Sequence, residues 1–82
     1  YHYHILGSTN IYDVEEELEI GIDVEAYDTL AGFILDQIGH LPENDEKVSF
    51  VFNNTRFEVL EIVDQTIIKV SVLKLEEDLD SE

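Results

Sequence analysis

Three histidines and twenty carboxylates are the groups through which this chain could do chemistry. His2 and His4 lie two positions apart, so a strand would present both imidazoles on one face. A third ligand, His40 or a carboxylate, would complete a zinc or nickel site. The simpler expectation is an exposed terminal strand whose histidines bind nothing. The acidic runs Glu15-Glu16-Glu17-Glu19 and Glu43-Asn44-Asp45-Glu46 offer oxygen ligands to Mg²⁺ or Ca²⁺. Neither has the spaced ligands, central glycine and terminal glutamate of an EF-hand loop. Weak, millimolar-range cation binding at Glu43, Asp45 and Glu46 is the functional expectation, and a solvated surface is the plain one.

Catalytic groups are sparse. Ser8, Ser49, Ser71 and Ser81 lack the strand-to-helix elbow of a nucleophile, and cysteine is absent. With 20 acids in 82 residues, close carboxylate pairs arise by chance, so the chain is not expected to be an enzyme. Asn53-Asn54-Thr55 has the form of a glycosylation acceptor, but a tight turn explains it better. The four glycines are scattered singly, which leaves no phosphate-cradling loop. Gly32, mid-helix, costs up to ~1 kcal/mol relative to alanine. Close approach of the helix to a strand or a neighbouring backbone would account for it.

The elements that must position these groups come from one small domain. A chain of 82 residues that is 44% hydrophobic has enough apolar surface for one core. Its net charge of −16 repels phosphate backbones and anionic membranes, which excludes nucleic acid and favours cations or basic protein surfaces. No apolar run approaches the ~20 residues of a membrane span, and no signal peptide opens the chain. The start at Tyr1 and the lack of any methionine suggest a piece of a longer protein.

Tyr1 to Leu6 is rich in β-formers and ends in a turn at Gly7-Ser8. Ser8, Thr9 or Asn10 can cap a helix over Ile11–Leu18, whose apolar positions Ile11, Val14 and Leu18 have helical spacing. Ile20 to Glu25 reads as a connector, with a brief extended piece at Ile20-Gly21-Ile22. The clearest helix runs from Asp28, read as its N-cap, to Gly39, with Pro42 barring its resumption. Three strands follow: Val48 to Phe52, Phe57 to Val63, and Ile67 to Leu75. Asn53-Asn54 and Asp64-Gln65 provide the hairpin turns. Ile68, Val70 and Val72 are expected to share one face of the last strand. The fold class is therefore α+β: a short strand and two helices packed on a three-stranded antiparallel meander. Residues 1–75 form the domain, and 76–82 read as an acidic, frayed tail.

Thr29, Gly32, Gly39, Leu41 and Pro42, in the stretch Asp28 to Pro42, match in type and spacing a signature of the CorC/HlyC transporter-associated domain, which this chain resembles. The likeness extends to Gly7, to the first helix, to Phe57-Glu58-Val59-Leu60-Glu61 and to Ile68–Val72. Two turns depart from the pattern, with Asp45-Glu46 and Asp64-Gln65 where the family often has Gly-Asp and Asp-Gly. The resemblance implies a C-terminal cytoplasmic module of integral membrane proteins that also carry a membrane domain and a CBS-domain pair. Such proteins are linked to magnesium and cobalt efflux and are often called hemolysin-related. The implied role is a non-enzymatic regulatory module at the cytoplasmic face of the plasma membrane. Its partners would be the CBS pair, the membrane domain and, through exposed edges of the meander, a second copy as a homodimer. By fold kinship the resemblance also carries flavin adenine dinucleotide, so the alternative function is a flavin or nucleotide sensor.

Overall fold

A computed structural model describes residues 2–75. The expected acidic tail, 76–82, lies outside the described residues. The elements follow in the order β1 (His2–Leu6), α1 (Ile11–Leu18), α2 (Leu30–Ile38), β2 (Ser49–Phe52), β3 (Thr55–Val63) and β4 (Thr66–Lys74). The α+β class holds, with one correction to the sheet. β1 does not stand apart from the meander; it pairs antiparallel with β4, giving four strands in the order β1-β4-β3-β2. The free edges are thus β1 and β2, since β1 covers the outer edge of β4.

Both hairpins form where the turn chemistry places them. Asn53 and Asn54 have φ of 49° and 63°, and Asp64 and Gln65 have φ of 52° and 62°. Two successive left-handed residues match the twist of the flanking strands, and Asn and Asp adopt that region at little cost.

Asn10 caps α1, its side chain accepting from the Tyr12 amide at 2.8 Å. Thr29, not Asp28, caps α2, with its hydroxyl accepting from the Gly32 amide at 3.2 Å. Asp28 contributes its carbonyl instead, which accepts from the Ile11 amide, while Leu30 donates to Thr9. These two bonds tie the starts of the helices together as a single antiparallel bridge between Asn10 and Thr29. Gly39 ends α2 in the left-handed region at φ 81°.

The helices cover one face of the sheet. Ile11, Val14, Leu18, Leu30, Phe33 and Ile34 meet Phe57, Val59, Val70 and Val72, and all are 9% exposed or less. Phe33 is the hub of this core. Its ring lies 5.1 to 6.2 Å from those of Phe50, Phe52 and Phe57, and 5.4 Å from Tyr27.

Strict alternation breaks once. Val59 pairs with Val70 and Ile62 with Ile67, but Leu60 and Glu61 face Lys69 in between, and Ile68 is then passed over. Each strand inserts one extra residue, so both change phase together. Ile67 therefore takes the core position expected for Ile68 and is 3% exposed, while Ile68 is half-buried.

Gly7 sits where β1 leaves the sheet. A Cβ there would lie 2.2 Å from the Ile67 carbonyl oxygen. The same residue donates to the Ile68 carbonyl and accepts from Ala31, joining β1, β4 and α2. Gly32 has no such constraint: an added Cβ would meet only the Thr29 hydroxyl, at an ordinary 3.6 Å. The close backbone approach expected at Gly32 occurs at Gly7.

Candidate functional site

The face of the sheet away from the helices is open. Cross-strand register arranges it in rows. Val51, Arg56, Leu73 and His2 form one row, and Ser49, Glu58, Ser71 and His4 the next. Glu61, Lys69 and Leu6 form a third, with Leu60 at the bulge beside them. His2 and His4 thus project from the same side of β1, their rings edge to face with centroids 5.0 Å apart. The His2 Nε2 is hydrogen-bonded to the Ser71 hydroxyl at 2.5 Å. This bond commits one imidazole to β4 and leaves Ser71 6% exposed on an otherwise open face.

The third ligand that these histidines would need is elsewhere. His40 lies in the connector between α2 and β2, where its Nε2 meets a Glu46 carboxylate oxygen at 2.8 Å and its Nδ1 meets the Ile38 carbonyl at 3.1 Å. Two acceptors around one ring favour the doubly protonated imidazolium. The Glu46 bond, with the Ile38 carbonyl second, raises the His40 pKa above its ordinary 6.5. Reciprocally, the His40 bond holds the Glu46 carboxyl below its ordinary range. The other Glu46 oxygen accepts from the Glu43 amide at 3.0 Å.

Both oxygens of Glu46 therefore already have partners, and a cation would have to displace His40 to use them. Among the described residues, no three His, Asp or Glu side chains stand close enough together to hold a metal ion. The candidates fall into two places: His2 and His4 on the outer sheet face, and Glu43, Asp45 and Glu46 in the connector.

The two places are linked by concave surface. A groove of about 400 Å³ runs between Asp45, Glu46 and Lys47 of the connector and Glu58 and Leu60 of β3. A second, of about 300 Å³, lies over His2, His4, Arg56 and Leu73 and shares Glu58 and Leu60 with the first. The sequence marked none of Arg56, Glu58, Leu60 and Leu73 as a site residue, and Glu58 and Leu60 entered only through the family likeness. Their signal was present: Leu60 and Leu73 are apolar residues on the polar phase of their strands. In the first groove, carboxylates at Asp45, Glu46 and Glu58 against one Lys47 oppose the pyrophosphate of a flavin dinucleotide.

One anion-binding concavity is filled by the chain itself. The Glu15 carboxylate accepts from the amides of Ile20, Gly21 and Ile22 at 3.1, 2.8 and 3.1 Å. Gly21, at φ 99°, allows the chain to curl around it. The connector there is a loop closed by an acid, where a brief extended segment was expected.

A family model described as a transporter-associated domain, CorC_HlyC, matches residues 1–76. The chain belongs to this family. Comparison with curated proteins gives no match. Among solved structures, a hemolysin domain from Enterococcus faecalis superposes with a TM-score of 0.83 at 24% identity, covering 92% of this chain and 89% of that one. A CorC_HlyC domain from a Xylella fastidiosa hemolysin, in complex with Mg²⁺ and Mn²⁺, has a TM-score of 0.75 at 25% identity over 92% and 89% of the two chains. The associated region of a putative Mg²⁺ and Co²⁺ transporter from Neisseria meningitidis has a TM-score of 0.75 at 23% identity, covering 90% and 89%. The family match makes this chain a transporter-associated domain, and the likenesses to solved structures show the shared fold. No helix among its described residues is long and apolar enough to cross a membrane.

Proposed function

We propose that this CorC_HlyC domain is a non-enzymatic regulatory module of a membrane transporter, adjusting efflux of divalent cations such as magnesium or cobalt at the cytoplasmic face. The family match over residues 1–76 is the observation that carries this reading. The working contacts are with the CBS-domain pair and membrane domain of the same parent chain. Contact is required because charge alone reaches only ~8 Å at physiological ionic strength. Divalent cations bind weakly and diffusely to the acidic surface, consistent with the Xylella relative crystallised with Mg²⁺ and Mn²⁺ and with the engaged oxygens of Glu46. The cation is cargo and ambient signal here, not a resident cofactor.

The test is cation export from cells producing the parent transporter with this domain present, deleted, or destabilised by Phe33→Ala. Equal membrane levels with a changed dependence of export on internal Mg²⁺ are expected. Identical export in all three would sink the regulatory reading.

A further inference from the structure

The outer face of the sheet differs in charge from the rest of the molecule. The whole chain carries −16, yet on this face Arg56 and Lys69 stand against Glu58 and Glu61, with His2 and His4 alongside. Of the four Lys and Arg residues, Lys74 is bound to the Leu18 carbonyl at 2.7 Å and Lys47 lies in the connector groove. The other two are both on this face. Between the charges stand Leu6, Val51 and Leu60, which are 55%, 59% and 45% exposed, and a half-buried Leu73. A second copy approaching the helices or connectors brings carboxylates toward carboxylates. Among the described residues, the open face is where the charges balance and exposed apolar side chains await cover.

We propose that this face is an isologous interface with a second copy of the chain, the two sheets stacked face to face. Stacked sheets lie ~10 Å apart with strands within about 30° of each other. A twofold axis running along the strands lays β4 of each copy over β3 of the other. Lys69 of each copy then faces Glu61 of the other, twice by symmetry. The same operation brings Leu73 over the aliphatic stem of Arg56. Strands of five, nine, nine and four residues offer about 450 Å² per copy at ~3.4 Å per residue and ~4.8 Å between strands. That is below the ~800 Å² per partner of a standard stable interface, so the dimer is weak and concentration-dependent.

Sedimentation equilibrium of the 82-residue chain at physiological salt tests this. The expected result is a mass rising with concentration from 9.4 kDa toward twice that value. Lys69→Glu weakens association about tenfold or more, because it sets acid against acid at both symmetric positions. The swap Glu61→Lys with Lys69→Glu recovers most of the loss, and Leu60→Asp abolishes association. These side chains are exposed, and circular dichroism checks that each variant folds. Methyl resonances of Leu6, Val51, Leu60 and Leu73 shift on dilution, while edge amides of β1 and β2 do not. A constant 9.4 kDa into the high micromolar range would overturn the proposal and leave the face to a different partner. So would association indifferent to Lys69→Glu, or dilution shifts confined to the strand edges.

Discussion

On the inner face of the sheet, Phe57, Val70 and Val72 are wholly buried beneath the helices. On the opposite face of the same strands, Leu60 and Val63 are 45% and 46% exposed. Residue type does not separate the two sets. What separates them is phase, and at the Leu60–Glu61 bulge the phase changes by one residue in β3 and again in β4. An apolar side chain is structural in one phase and available to a partner in the other. The comparison teaches that apolar residues standing out of phase with the core mark surface that the core does not use.

The sharpest way to break that contrast is at its hub. Phe33→Ala should cost about 3–5 kcal/mol in urea unfolding, since four aromatic rings lose their common neighbour. Leu60→Ala and Val51→Ala, on the outer face, should each change stability by less than about 0.5 kcal/mol. Equal costs on both faces would erase the distinction. Gly7→Ala comes next, at about 2–3 kcal/mol, because backbone must move to admit a Cβ 2.2 Å from the Ile67 oxygen.

Helix α2 gives a finer comparison. Thr29→Ala should cost about 1 kcal/mol as the cap is lost, whereas Asp28→Ala should cost a few tenths at most. Gly32→Ala should raise stability by about 0.5–1 kcal/mol, since space is open there and alanine favours the helix.

The smallest effect is the pH dependence of the connector. His40 has a raised folded pKa, so its contribution is complete below the unfolded value near 6.5 and lost as pH rises through the folded value. Glu46 has a lowered one, so its contribution is complete above the unfolded value near 4.5 and lost as pH falls through the folded value. The two windows overlap between about pH 4.5 and 6.5. The melting temperature of the wild-type chain minus that of His40→Gln should peak in that interval and vanish at alkaline pH. A flat difference would mean that the clasp contributes nothing.

Local chemistry made much of this fold legible. Paired turn residues marked both hairpins, apolar spacing marked both helices, and Gly39 with Pro42 marked where α2 stops. The unread parts depend on distance in sequence. β1 joins β4 across more than sixty residues, as His2↔Leu73 shows, and nothing within Tyr1–Leu6 encodes that partner. Asp28 and Thr29 are both good caps by type, and the choice between them is made by the Asp28 carbonyl accepting from the Ile11 amide of α1. The bulge was hidden because Leu60, Ile62, Ile67 and Ile68 satisfy either phase. Of the candidate site, the histidine pair and the acidic connector were visible. The engagement of Glu46 by His40 was not, because it requires the connector to fold back on itself.

The pairing of His2 with Leu73 has a mechanical consequence. The first and last described strands begin and end at the same corner of the sheet, with their ladder bonds perpendicular to the strand axes. Tension applied between residue 2 and residue 75 would load those bonds one after another, peeling β1 away from His2 toward Leu6. Such a geometry yields at low force, and it releases β1 while the β3–β4 hairpin keeps its pairing.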